Sequence, residues 1–289
     1  MAGALFLGID AGGTHCRARL VDGDGTTLGM GHAGPANLGI GVQAHNSIVA
    51  ASRQAFAEAG LAPSARRRTH LAIGAAGADD PAAVEALAAR RLPFASVTIR
   101  SDAVTACIGA HGGGDGGLLI VGTGSQGIVR RKGRFQRVGG WGFLLSDQGS
   151  AAVLGNRAVR QALAAHEGTA TSSPMTRRIM SAFDNSPAAL LAWSRQSTPS
   201  QWGTFSPLVF TCADAGDPVA QRLIDAAVAD VADLLARMVE LGAERIALVG
   251  GLADQYAFRL PRRLARRFVP PQRDALAGAI DLAREAAGA

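Results

Sequence analysis

The chain is poor in lysine, tyrosine and cysteine. Lys132 is the single lysine among 29 basic residues, Tyr256 is the single tyrosine, and aromatics make up 5% of the 289 positions. A P-loop needs a lysine on the phosphates, within G-x-x-x-x-G-K-[ST]. Lys132 follows no such loop, so that mode of nucleotide binding is excluded. The net charge of +6 comes from scattered arginines that are not interleaved with aromatics. Such a pattern reads as solvated surface rather than a nucleic-acid interface, and no nucleic-acid partner is expected. A basic surface still attracts phosphorylated small molecules. Cys16, Cys107 and Cys212 are far apart and form no C-x-x-C. That argues against a disulfide framework and against a zinc or iron–sulfur site built within one chain. No H-E-x-x-H occurs among the six histidines. No positively charged segment precedes the first apolar run, which is too short for a signal peptide or a membrane span. A cytoplasmic enzyme without a membrane partner is expected.

What is present points to an α/β protein. With 48% hydrophobic residues over 289 positions, the chain has ample material for a core, and two domains are expected. Gln43 to Ala59 reads as a helix, Thr69 to Ala75 as a buried strand, Pro81 to Arg91 as a helix and Ser96 to Arg100 as a strand. Alternating strands and helices imply partly parallel pairing. The break HGGGDGG, at 111–117, marks the expected boundary between domains 1–114 and 115–289.

The stretch LFLGIDAGGTHCRARLVDGDGTTLG opens with an apolar run that ends at Asp10, followed by the corner Ala11-Gly12-Gly13-Thr14. A Rossmann fingerprint would continue into a helix. Here the next residues alternate, with Cys16, Ala18 and Leu20 on one side and His15, Arg17 and Arg19 on the other. Period two predicts a half-buried strand, and DGDG at 22–25 then makes a hairpin turn. The corner's N–H groups and the Thr14 hydroxyl suit a phosphate, and Asp10 suits a magnesium ion held through water. A plain glycine hairpin with a capping aspartate fits the same stretch. LLIVGTGSQGIVRRKGRFQRVGG, at 118–140, repeats the plan with a second corner, Gly122-Thr123-Gly124-Ser125. Two such halves suggest an internal duplication, with the corners clamping a polyphosphate from both sides.

With these motifs in place, the chain resembles the sugar kinase, actin and Hsp70 superfamily. Within it, the chain resembles the N-acetylglucosamine kinase and glucosamine kinase group, which includes the BadF/BadG/BcrA/BcrD-type ATPases. GIDAGGT (8–14) and GTGS (122–125) match the two phosphate motifs, LVGGLA (248–253) the adenosine motif, SDAVTA (101–106) the segment with the catalytic aspartate, and GGWGFLLSDQGS (139–150) the sugar-site signature. The resemblance implies two actin-like, ribonuclease H-like domains with mixed sheets flanked by helices around a central cleft. A last helix at about 274–289 would pack back on the N-terminal domain. It implies ATP and Mg²⁺ as cofactors, with phosphates on Gly12, Gly13, Thr14, Gly122, Thr123, Gly124 and Ser125. Adenosine would lie near Cys212, Ala213, Gly250 and Gly251, and Mg²⁺ near Asp10. The sugar would contact Asn37, Asp102, Gly140, Trp141, Gly142 and Asp147, and Asp102 would accept the proton from the sugar's 6-hydroxyl. A homodimer is expected. The cysteine-rich zinc motif usual in ROK sugar kinases is absent.

Each of these side chains also has a structural explanation. Asp102 stands where a helix cap is expected, and the helix dipole would hold it ionised. Asn37 suits a left-handed turn position. Trp141 is by type a packed core residue, and Asp147 precedes a helix at about 150–165 that it would cap. Two other functions share the motifs. One is a BadF-type activator ATPase coupled to electron transfer through an iron–sulfur cluster shared by two subunits. The other is a non-catalytic sugar or nucleotide sensor. The first lacks the expected cysteine arrangement; the second would have lost the base or a corner, and both are present.

Overall fold

The computed structural model describes residues 3–288. Met1, Ala2 and Ala289, at the ends of the two expected domains, lie outside the described residues. The chain divides into two compact units. One comprises Met1–Leu118, Arg130–Phe135 and Pro270–Ala289, the other Leu119–Val129 and Gln136–Val269.

The first unit opens with β1 (Leu5–Ala11), β2 (Cys16–Val21) and β3 (Thr27–Ala33), then α1 (Val42–Glu58), β4 (Thr69–Ala75), α2 (Pro81–Ala88), β5 (Ser96–Ser101) and α3 (Asp102–Ala110). Its sheet has the order β3-β2-β1-β4-β5. The β1–β2 and β2–β3 pairs are antiparallel; β1–β4 and β4–β5 are parallel. The alternation seen in the sequence becomes the burial pattern of β2: Cys16, Ala18 and Leu20 are fully buried, whereas Arg17 and Arg19 are not. Helix α2 stops at Ala88 instead of reaching Arg91. Arg91 has left-handed backbone (φ 41°), and Leu92 precedes Pro93, a position that disfavours helix.

The second sheet has the order β8-β7-β6-β9, from β6 (Gly116–Val121), β7 (Ser125–Arg131), β8 (Arg134–Gly139) and β9 (Ile246–Val249). Turns of two or three residues join β6 to β7 and β7 to β8, which requires antiparallel pairing. Between β8 and β9 run α4 (Ala151–His166), α5 (Pro174–Ser181), α6 (Pro187–Gln196), α7 (Pro199–Gly203), α8 (Ser206–Asp214) and α9 (Pro218–Glu240). Helices α5, α6, α7 and α9 each start on a proline. Its fixed φ suits the first helical position, where its missing N–H costs nothing. The break between α8 and α9 falls at the Gly216-Asp217-Pro218 punctuation, and Asp217 caps α9 through Val219 and Ala220 N–H. Ile224, Ala227, Val231, Leu234, Leu235 and Met238 form the buried stripe of α9 at helical spacing.

Short helices α10 (Ala253–Ala257) and α11 (Arg262–Ala265) follow, then α12 (Ala275–Ala287). Helix α12 packs on α3, β1 and β4 of the first unit. The approach is backbone to backbone: a Cβ on Gly278 would run into the Thr105 carbonyl. Asp274 caps α12 through Ala277 N–H and pairs with Arg19 at 2.8 Å. Among the described residues, no helix is long and apolar enough to cross a membrane.

Candidate active site

In the first unit, the parallel strands end in register, Ala11 beside Ala75 and Ala75 beside Ser101. Ligand sites of α/β sheets gather at this carboxyl edge. The first corner leaves β1 here. Gly12 N–H donates to the His15 carbonyl (2.9 Å), and the Gly12 carbonyl accepts from Ala36 N–H (2.9 Å). The Ala11 carbonyl accepts from Ala76 N–H (2.9 Å). Gly13 and Thr14 are exposed at the tip, and among the described residues their N–H groups have no acceptor. Asp10 faces Arg17 in the ladder register. The guanidinium forks onto Asp10 Oδ2, at 2.6 Å from Nη2 and 3.3 Å from Nε. This bond to Asp10 is the largest cause holding the arginine's pKa above its ordinary value.

Asn37 is lashed to the same edge, because the next residue, Leu38, donates from its N–H to the Ala76 carbonyl at 2.9 Å. Its backbone is not the left-handed turn considered from the sequence: φ is −59°, and its Oδ1 accepts from Gly39 N–H at 2.8 Å to cap a short 3-10 turn. The amide's NH₂ remains to donate. Asp102 begins α3, with Ser101 in the cap position. Its Oδ1 accepts from the adjacent Ala103 N–H at 2.8 Å. The dipole argument expects an acid held strongly ionised, but the direction here is the reverse. Burial raises the Asp102 pKa, with Asp10 and Asp79 adding to the rise, and the Ala103 N–H only partly offsets it. Desolvation outweighs the helix terminus.

The second unit assembles the second corner. Gly122 N–H donates across it to the Gly124 carbonyl at 2.8 Å. The first N–H groups of α4, on Ala151 and Ala152, donate to the Gly122 and Thr123 carbonyls at 2.8 and 3.2 Å. Ser125 Oγ donates to the Gln148 carbonyl at 2.7 Å. Gly250 and Gly251 abut this corner. Gly250 has φ +105°, and a Cβ there would meet the Val121 backbone; Leu252 N–H donates to the Val121 carbonyl at 3.0 Å. Asp147 does not cap α4; Ser150 does, accepting from Val153 N–H. The Asp147 side chain lies instead against Gly124, is 8% exposed and has φ +62°. Burial pushes its pKa up, and the N–H groups of Ser125 and Gly142 pull it back.

Trp141 is not a core residue. It is 65% exposed, between Gly140 and Gly142, with the Arg137 guanidinium 4.2 Å from its ring centroid. Cys212 and Ala213 are buried on α8 within the core and present little surface to a ligand. All three cysteines are free and buried; burial raises the thiols of Cys16 and Cys107 to about 12. None lies at the surface.

The structure thus gathers Asp10, Gly12, Gly13, Thr14, Asn37 and Asp102 at one edge of the first unit. It gathers Gly122, Thr123, Gly124, Ser125, Asp147, Gly250 and Gly251 in the second. Arg17 is the residue that motif reading passed over. Its signal was present, since a tight corner at Gly12–Gly13 in a hairpin sets residue 17 opposite residue 10.

Against known proteins, residues 7–268 match the model of the BadF/BadG/BcrA/BcrD ATPase family. The glucosamine kinase GspK of Vibrio cholerae is 39% identical over 276 residues, covering 95% of this chain and 94% of that protein. The N-acetyl-D-glucosamine kinase of Dictyostelium discoideum is 27% identical over 252 residues, 78% of this chain and 77% of the other. A crystal structure from Chromobacterium violaceum, described as a candidate N-acetylglucosamine kinase, superposes with a TM-score of 0.84 at 31% identity, covering 98% of this chain and 100% of that one. A ROK family glucokinase from Streptomyces griseus shares the fold, with a TM-score of 0.54 at 20% identity over 98% of this chain and 100% of that one. The α/β architecture is therefore that of the actin-like sugar kinases, and by a family match that spans most of its length this chain belongs to the BadF/BadG/BcrA/BcrD ATPase family.

Proposed function

We propose that the chain transfers a phosphoryl group from ATP to the 6-hydroxyl of an amino sugar, glucosamine or N-acetylglucosamine. The observation that carries the proposal is Asp102. It is a half-buried carboxylate at the carboxyl edge of a parallel sheet, beside an acid and a glycine corner whose tip N–H groups, on Gly13 and Thr14, have no acceptor among the described residues. A raised pKa makes it a stronger base for a sugar hydroxyl. The kinases GspK of Vibrio cholerae and that of Dictyostelium discoideum support the substrate class.

In this reading Gly12, Gly13, Thr14, Gly122, Thr123, Gly124 and Ser125 hold the phosphates, and Gly250 and Gly251 lie toward the nucleoside. Cys212 and Ala213, buried on α8, would offer it little surface. Asn37, with its NH₂ unpaired among the described residues, orients a sugar hydroxyl, as do the Gly140–Trp141–Gly142 loop and Asp147. Magnesium fits beside Asp10, where Arg17 occupies Oδ2 and leaves Oδ1 for a bound water. Bound there, the ion would neutralise phosphate charge, and one carboxylate with nucleotide phosphates is its usual setting. Phosphoryl transfer needs mostly positioning and charge stabilisation, with Asp102 taking the proton as the hydroxyl attacks. The reading includes a cytoplasmic homodimer, which light scattering checks.

An ADP-release assay over glucosamine, N-acetylglucosamine, N-acetylmuramic acid and glucose tests the function. We expect ADP formation that requires Mg²⁺ and rises at least tenfold with one amino sugar. The same rate with no sugar in the cuvette would overturn it.

A further inference from the structure

Every residue of the second corner is held by one short segment, residues 147–152. Ala151 and Ala152 bind the Gly122 and Thr123 carbonyls, and Gln148 takes the Ser125 hydroxyl. Asp147 reaches the remaining residue: a Cβ on Gly124 would lie 2.7 Å from its Oδ2. Gly124 does not have left-handed backbone, so the glycine is there for the carboxylate and not for its own conformation. Asp147 itself has a left-handed φ, which aspartate adopts more readily than most non-glycine residues. Its neighbour Ser146 donates from N–H to the Gly142 carbonyl, on the exposed Trp141 loop, at 2.8 Å, and the N–H groups of Ser125, on the corner, and of Gly142, with the Arg137 charge, favour the ionised carboxylate.

We propose that Asp147 is a positioning residue that ties the corner at Gly124–Ser125 to the Gly140–Gly142 loop, so that nucleotide and sugar binding are coupled through one carboxylate. This rests on the kinase reading and changes the part Asp147 plays in it. A direct sugar contact would affect sugar alone. A tie between the two segments affects both ligands and makes each bind better once the other has set the segments.

The test is calorimetric titration with a non-hydrolysable ATP analogue and with the preferred amino sugar. The proteins are the wild type, Asp147→Asn, Gly124→Ala and the double variant. Asp147→Asn keeps the shape and removes the charge; Gly124→Ala displaces the carboxylate from the corner side and leaves it chemically intact. Each single variant should weaken both ligands by about 10-fold, the size expected when a charged hydrogen bond is lost. The double variant should be no weaker than about the worse single one, because the two changes break one contact. In the wild type, the analogue should tighten sugar binding, and the variants should lose that effect. Should Asp147→Asn fail to fold, Gly124→Ala alone still decides the matter through its effect on sugar. Weakening of sugar only in Asp147→Asn and of nucleotide only in Gly124→Ala, adding in the double variant, overturns the proposal. Unchanged affinities with a lower melting temperature also overturn it. A wild type that binds neither ligand overturns the kinase reading as well.

Discussion

At the first corner, the nearby acid belongs to the strand that leads into it. Asp10 lies in β1, and hairpin register alone brings Arg17 opposite. At the second corner, the strand leading in, β6, carries no acid, and the carboxylate is Asp147, from the loop before α4. The supports differ too. The first corner is fastened by single N–H groups of Ala36 and Ala76, the second by the first turn of a long helix. A repeated chain path therefore does not carry repeated chemistry. The first corner has its charges built in by local pairing and stands beside the candidate base. The second is a scaffolded turn whose charge arrives from a distance.

The largest effect should come from the residue that only the first corner has beside it. Asp102→Asn is expected to lower turnover by ~10²–10⁴-fold, the usual range for a general base, with ligand binding retained. The raised pKa adds two further expectations. In the wild type, activity should fall as pH drops through a pKa raised above the ordinary aspartate value. The folded pKa lies above the unfolded one, so this group's stabilisation is complete below the unfolded pKa and is lost as pH rises through the folded pKa. At neutral pH, Asp102→Asn should therefore melt above the wild type. A variant that melts lower and keeps its turnover per folded molecule would reduce Asp102 to a structural residue.

A middle-sized effect is expected behind the second corner. Gly250 combines φ +105° with contact on the Val121 backbone. Gly250→Ala should destabilise the protein by about 1–3 kcal/mol through strain, read by urea denaturation, and should loosen nucleotide binding. An unchanged midpoint would mean that the turn rearranges freely and is no support.

The smallest stability effect belongs to the tip of the first corner. Among the described residues, no atom beyond its chain neighbours lies within 4 Å of where a Cβ on Gly13 would be, and Gly13 has no left-handed φ. Gly13→Ala should stay within about 0.5 kcal/mol of the wild type in stability. If the analogue still binds less well to this variant, the tip meets phosphate; if binding is unchanged too, the first corner is a bare hairpin and the contrast between the corners becomes one of function.

The parts of the fold set by local rules could be read from the sequence. Alternation gave β2, and the glycine and DGDG punctuation gave the two turns around it. The stripe Ile48, Ala51, Ala55, Phe56 gave α1, which runs Val42–Glu58. Asp10, both corners and Asp102 were visible because strand ends and glycine turns are local. The place of Asp147 was not, because its contact with Gly124 depends on a fold that returns the chain past its own corner, and no periodicity encodes that return. For Trp141 the sequence offered two readings, a packed core from residue type and a ligand-facing loop from the flanking glycines. Residue type predicts burial on average, whereas flanking glycines with left-handed backbone turn this ring outward over Arg137. Helices α5 and α7 carried legible signals in their capping boxes, Ser173 with Thr176 and Thr198 with Gln201, but these are short helices whose apolar pattern is too brief to stand out.

Helix α12 gives the chain an unusual order of completion during synthesis. Its seat on α3, β1 and β4 is formed by residues made early, but the helix itself is translated after the whole of the second unit. Domains generally fold as they emerge, the earliest first. Here the earliest unit waits with an open seam on its sheet, and the later one can close before it. A nascent chain with residues up to 269 outside the ribosome and α12 still within its exit tunnel would hold a complete second unit and a first unit still missing its last helix, so the vulnerable nascent species lies at the front of the chain.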